Sequence, residues 1–221
     1  KEGIADCSNV LGTSVRPGSM KIAETKAEKT GTITTADRQV IGDTNPTHTG
    51  GFNINARVYG FDLTANFNWS VGNDVYNANA IEYTQTSKYQ YRNLIDKMAG
   101  GSRWTNIDAN GNLLNWNNAE ELAALNANTT MWSPYTGKYV LTDAYVEDAS
   151  FLRLSTLTLG YTLPENLTKR AGINSLRFYV TAYNVFCITN YSGFDPEVSA
   201  IRKTNLTPGV DYSAYPKSRQ F

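Results

Sequence analysis

Histidine is nearly missing from these 221 residues, with His48 the single one. A multi-histidine metal centre or a histidine-dependent catalytic triad therefore has almost nothing to be built from. Cysteine is scarce as well: Cys7 and Cys187 form one widely separated pair, which defines no disulfide framework. An excess of either charge is absent, because Lys+Arg and Asp+Glu both number 20. That balance argues against the clustered positive surface a nucleic-acid partner requires. No run of residues approaches the roughly 18 consecutive apolar positions of a transmembrane helix. Finally, no apolar leader follows Lys1. An exported chain needs one, so either the protein is cytosolic or this sequence is a piece of a longer one. No cofactor and no metal ligand set is expected.

What is abundant is a neutral polar chemistry: charged residues are only 18%, and Asn, Thr and Tyr fill the polar positions instead. That mix suits strands with one wet, uncharged face. From Phe61 to Val71, the odd positions Phe61, Leu63, Ala65, Phe67, Trp69 and Val71 are apolar. The even positions Asp62, Thr64, Asn66, Asn68 and Ser70 are polar. Successive side chains on a strand point to opposite faces, so this run has one apolar and one polar face. Its eleven residues exceed the usual 5–6 and match the roughly 9–11 of a membrane-crossing strand. The same rhythm, weaker, runs through Phe52–Tyr59. It returns at Thr156–Leu163 and at Leu176–Tyr183.

These patterns predict strands over 51–59, 61–72, 151–163 and 174–187. A tight hairpin turn at Gly60 joins the first two. A short helical turn on ENLTKRA, opened by Pro164 and closed by Gly172, joins the last two. Long polar segments occupy 1–50, 73–148 and 188–215. Long and short connections thus alternate strictly, as in outer-membrane barrels, where short periplasmic turns oppose long extracellular loops. Within the long loop, Lys88–Met98 and Ala119–Leu125 have helix-forming composition, and Asp108–Asn112 is a turn cluster. The fold class expected is all-β: an antiparallel transmembrane β-barrel segment with long extracellular loops carrying short helices. A soluble β-sandwich carbohydrate-binding module is the competing reading.

Several motifs add a family resemblance. DASFLRLSTLTLGYTLPENL (Asp148–Leu167), NVFCITNYSGFDPEVS (Asn184–Ser199), GVDYSAYPKSRQF (Gly209–Phe221) and the block from Asp37 to Asn77 resemble, in order, signatures of the SusC/RagA family. The resemblance implies the C-terminal strands of a plugged barrel of about 22 strands. It implies localisation in the outer membrane, among lipid. It also implies import of oligosaccharides or peptides with a SusD-like surface lipoprotein and energy from the TonB system. The plug domain and the last strand would lie outside this sequence. One departure stands out. Where many members carry an oxygen-rich D-x-N-x-D-G-x-I loop, this chain reads KAEKTGTI (Lys26–Ile33), keeping only Glu28 among the acidic positions. Calcium is not expected there.

Candidate contact residues are loop aromatics, Trp104, Trp116, Trp132 and Tyr135, together with Tyr191 and Asp195. Exposed aromatic rings suit sugar stacking, a protein partner, or the loop's own small core. Asp195 and Glu197 flank Pro196 and invite comparison with a hydrolytic carboxylate pair. Two-residue spacing does not set them across a bond, so solvated loop charges or loop-stabilising acceptors are the expectation. Trp69 and Tyr161, near strand ends on apolar faces, read as interfacial girdle residues. On the barrel reading Arg57, Asp62, Asn66, Asn68, Arg177 and Tyr179 face the lumen. No catalytic residue is expected.

Overall fold

The two-residue rhythm becomes a four-stranded antiparallel meander in the computed structural model, which describes residues 4–13, 15–86, 91–136, 140–199 and 208–221. Its strands are β1 (His48–Val58), β2 (Phe61–Val71), β5 (Phe151–Thr162) and β6 (Arg177–Thr189), paired in the order β1-β2-β5-β6. Shorter strands β3 (Asp74–Asn77), β4 (Val146–Asp148) and β7 (Val210–Asp211) form a second sheet, with β3 antiparallel to β4 and parallel to β7. The meander is open. The chain separates into two compact units, Gly42–Asn77 with Val146–Phe221, and Lys1–Ile41 with Ala78–Tyr145.

Register places like with like across the meander. Val58, Phe61, Tyr161 and Phe178 form one cross-strand row, Ile54, Ala65, Leu157 and Ala182 a middle row, and Gly50, Trp69, Leu152 and Ile188 the far row. From Phe61 to Trp69 is eight residue steps, or about 27 Å along the strand. Much of this apolar face is open: Ile54 is 48% exposed and Val180 57%. Aromatic pairs mark its ends, with Phe61 over Tyr161 at 4.5 Å and Phe52 against both Phe67 (4.5 Å) and Trp69 (6.0 Å).

The hairpin between β1 and β2 turns on Tyr59 and Gly60, both at positive φ (49° and 88°), as a type I′ turn demands. β1 starts at His48, before the expected Phe52 rhythm, because Gly50 pairs with Trp69 and the indole lies over it, filling the space a Cβ would take. Between β5 and β6, Pro164 leads into α4 (Glu165–Thr168) and a 3-10 turn ending at Gly172 (φ 70°). β6 begins at Arg177, later than the expected 174, and runs on to Thr189.

The other unit is held by loops. The helix expected at Ala119–Leu125 forms, with Asn118 as its cap and Leu122 buried. The expected helix at Lys88–Met98 does not: residues 88–90 lie outside the described residues, and of the rest only Asp96–Met98 makes a 3-10 turn. Arg92 instead bonds Glu82 at 2.8 Å and lies 5.2 Å from the Tyr83 ring, a tertiary anchor that outweighs helix propensity. Asp108 accepts from the backbone N–H of Asn110 and Asn112, making the expected turn.

Near the start of the chain, the Glu24 carboxylate accepts from Thr30 N–H (2.6 Å) and Gly31 N–H (3.2 Å). The Thr30 N–H chiefly, with Lys26 and Gly31, outweighs burial and holds its pKa down to about 2. A carboxylate depressed in the folded state stabilises above its ordinary value of 4.5, and that support is lost as pH falls toward 2. Amide-exchange protection at Thr30 and Gly31, corrected for intrinsic rates, should therefore be flat down to about pH 4.5 and decline between there and pH 2.

Candidate functional site on the polar face of the sheet

The face opposite the apolar band carries Asn, Thr and Ser with a few charges. Arg57, Asp62, Gly160 and Tyr179 share one row, and Thr64, Thr158 and Thr181 the next but one. Arg177 grips Asp62 with two bonds, Nε to Oδ1 at 2.9 Å and Nη2 to Oδ2 at 2.5 Å, and lies 5.0 Å from the Tyr179 ring. Asn66 and Asn68 lie on the same face. All six residues that the sequence assigned to one wet surface are therefore brought together.

A break in the ladder creates the most connected part of this face. Ser155 is an extra residue between Leu154 and Thr156 opposite β2, and the ladder to β6 shifts at the same level. Bulges re-aim side chains and bend strands. Here Ser155 bonds Asn68, and Asn184, at φ 52°, directs its amide to Arg153.

Arg153 is 3% exposed, and so is its partner Asp195. Arg153 Nη2 donates to Asp195 Oδ1 at 2.6 Å; its Nε approaches Glu197 Oε2 at 2.7 Å, an ion pair without hydrogen-bond alignment. Lys217 Nζ also reaches Glu197, at 2.5 Å. Asp195 is held by two backbone donors as well: Oδ1 further accepts the Glu197 N–H (3.0 Å), and Oδ2 the Lys217 N–H (3.2 Å). Asn184 Nδ2 donates to Lys217 O at 2.9 Å, and Tyr183 and Gln220 exchange backbone bonds. One buried cation thus ties β5, the loop after β6, and the segment around Lys217 together. Two clefts flank it. One of about 470 Å³ is lined by Asn68, Ser70, Asn73, Phe151, Pro196 and Glu197. The other, about 400 Å³, is lined by Arg153, Ser155, Tyr183, Asn184, Lys217 and Gln220.

This geometry does not present Asp195 and Glu197 as an acid–base pair. Both are engaged by the same guanidinium, so their oxygens converge on one cation and do not face each other across a cleft. Tyr191 is also inward: it is buried with Val75 and Ala149, and its hydroxyl donates to Asp211 Oδ2 at 2.7 Å. Burial first, then that bond, push the Tyr191 pKa upward, so it remains a donor. Ser192 accompanies it, its N–H and hydroxyl both given to Glu147 at 2.8 Å.

The aromatic candidates lie in the other unit. Trp104 packs on Gly18 and stacks with Trp116 at 5.2 Å, and the Arg16 guanidinium is 5.6 Å from the Trp116 ring. Trp132 meets Tyr145 edge-on at 6.1 Å. Trp104 and Trp132 therefore serve that unit's own packing. Trp116, 44% exposed, and Tyr135, 76% exposed, present surface to solvent. Arg153, Asn184 and Lys217 are the residues sequence reasoning missed; the adjacent polar pair Ser155-Thr156, which breaks the alternation, was the available signal.

No family model matches the chain. Among curated proteins it is 33% identical to TonB-dependent receptor P3 of Formosa agariphila, over 86% of this chain and 17% of that receptor. It is 36% identical to TonB-dependent receptor SusC of Bacteroides thetaiotaomicron, over 37% of this chain and 7% of SusC. Among solved structures, the RagAB peptide transporter superposes with a TM-score of 0.68 at 23% identity, covering 92% of this chain and 20% of that one. The 'open-open' RagAB peptide importer gives 0.61 at 27%, covering 86% and 18%. The chain thus spans about a fifth or less of the length of the proteins it matches. With a third of its residues shared with one such receptor across most of its length, the chain belongs to the SusC/RagA family of TonB-dependent outer-membrane receptors.

Proposed function

We propose that this chain forms part of the wall and extracellular loops of an outer-membrane importer. The four-stranded meander crosses the membrane with its apolar band toward lipid and its polar face toward a plugged lumen. The observation that carries this is the pairing of a wide, open apolar face with a neutral polar one. A sandwich would cover the first, and a soluble surface would not leave Ile54 and Val180 half open in one continuous band. Tyr59–Gly60 and Pro164–Leu176 are then periplasmic turns. Residues 1–50, 73–148 and 188–215 lie on the extracellular side. Cargo is an oligosaccharide or a peptide, taken up with a SusD-like lipoprotein and driven by TonB through the plug; peptide transport by the RagAB relatives supports the second cargo class. Trp116 and Tyr135 are the contact residues best placed for cargo or lipoprotein, because their rings are exposed. Asp195 and Tyr191 act indirectly, by shaping the loop that carries them.

Cysteine accessibility tests the topology. In the full receptor with Cys7 and Cys187 replaced by alanine, Tyr135→Cys should react with a membrane-impermeant maleimide on intact cells. Leu167→Cys, in the short turn, should react only after the outer membrane is permeabilised. The reverse pattern, or equal labelling of both, would contradict the proposed orientation.

A further inference from the structure

The loop around Glu24–Asp37 is built as a cage of oxygens, and a side chain of the loop itself fills it. Lys26 Nζ lies 2.6 Å from the Thr32 carbonyl, 3.0 Å from Glu24 Oε1 and 3.2 Å from Asp37 Oδ2. An ammonium has three N–H donors and no acceptor; two of them go to the Thr32 carbonyl and Asp37, and Glu24 adds an ion-pair contact. Side-chain exposure is only 14% for Lys26, 9% for Glu24 and 4% for Asp37, so the charges meet away from bulk water.

The rest of the loop holds the oxygens in place. Asp37 also accepts from the backbone N–H of Thr25 (2.9 Å), Lys26 (3.1 Å) and Thr34 (2.8 Å), while Thr34 caps the 3-10 turn that carries Asp37. Glu24 is fixed by Thr30 and Gly31, at the left-handed Gly31 (φ 75°), and the Thr30 hydroxyl lies 3.2 Å from Glu24 Oε1. Glu28, the acidic residue the sequence singled out, is not among the oxygens around Lys26. Two carboxylates and a backbone carbonyl converge on one positive point, with the Thr30 hydroxyl bonded to two of those groups, Glu24 and the Thr32 carbonyl; these are oxygens of the kind a hard cation takes.

We propose that the Lys26 ammonium is a built-in replacement for a bound divalent cation, so that this loop keeps its shape without calcium and becomes a calcium site when the ammonium is removed. An untethered ion would need six to eight oxygens at 2.3–2.6 Å, water included. The ammonium needs three at hydrogen-bond distance and cannot be lost to a chelator. The loop's order is therefore independent of the calcium content of the medium. This inference does not depend on which way the sheet faces.

The test uses the full receptor, purified in detergent and stripped of calcium. By equilibrium dialysis with radioactive calcium, Lys26→Asp should bind one equivalent more than wild type, and adding Asp37→Asn should abolish that gain. Lys26→Asn, with a neutral oxygen in place of the carboxylate, should bind the extra equivalent on the order of tenfold more weakly, since affinity follows ligand charge. In wild type, chelator should leave amide-exchange protection at Thr30–Thr34 unchanged. A folded Lys26→Asp receptor with no extra equivalent would overturn the proposal. So would a wild-type calcium equivalent that disappears with Asp37→Asn, or loss of wild-type protection in chelator. The wild-type exchange arm decides the matter if the Lys26→Asp protein does not assemble.

Discussion

Ile54→Arg should prevent or cripple assembly into the outer membrane, while Asn55→Arg, one residue away, should be tolerated. Ile54 sits in the middle row of the apolar band, opposite Ala65, and Asn55 opposite Thr64 on the polar face. An arginine at the lipid midplane of a barrel costs about 2–4 kcal/mol, whereas a lumen-facing substitution costs little. The contrast is sharp because Ile54 is 48% exposed. In a water-soluble protein, an arginine at so open a position would change stability by no more than about 0.5 kcal/mol. The measurement is the amount of heat-modifiable, folded receptor in the outer-membrane fraction. A strong loss for Ile54→Arg alone is expected; equal tolerance of both substitutions would contradict the lipid-facing assignment.

Arg153→Met should be the most damaging single substitution on the polar face. Removing one partner of a buried ion pair leaves the others unpaired and costs about 3–5 kcal/mol, far more than the net value of the pair. Among the described residues, Asp195 would retain the backbone N–H groups of Glu197 and Lys217, and Glu197 would retain Lys217. The expected outcome in urea unfolding of the lipid-embedded receptor is a midpoint well below wild type. Proteolysis should also open the segment around Lys217, whose backbone N–H and C=O are held by Asp195 and Asn184. Combining Arg153→Met with Asp195→Leu should restore part of the loss, because the stranded carboxylate is gone. A double variant as unstable as the sum of the two singles would show that the pair is uncoupled, and that Arg153 acts by packing alone.

How much of this was legible follows from length and phase. The β2 run is long and strictly alternating, so its faces could be read off the sequence, and β5 and β6 nearly so. β3, β4 and β7 have four, three and two residues, too short for a two-residue rhythm to register. Arg153 was hidden differently. The bulge at Ser155 resets the alternation, so Leu154 and Leu157 lie on one face although three residues apart. Arg153 falls within the expected strand 151–163, but the regular alternation begins only at Thr156, so the face it occupies could not be phased. Asp195 was anticipated as a solvated or accepting loop carboxylate; it is buried and accepting, and its partner could not be foreseen because 42 residues separate them. Glu24 and Asp37 were not legible as partners of Lys26, because they flank the motif positions in sequence and only the folded backbone turns their carboxylates inward. The helix expected over Lys88–Met98 is not formed at Arg92, where the ion pair with Glu82 decides the local structure.

The central claim is that alternate residues of one strand meet lipid and water. Nitroxide labels placed singly from Phe61 to Val71 in the nanodisc-embedded receptor test it most directly, by their accessibility to oxygen and to a polar nickel chelate. Oxygen accessibility should peak at positions 61, 63, 65, 67, 69 and 71, with the nickel reagent favouring the even positions between them. Odd positions shielded from both reagents, or two profiles oscillating in phase, would place a protein layer or water where this account places acyl chains.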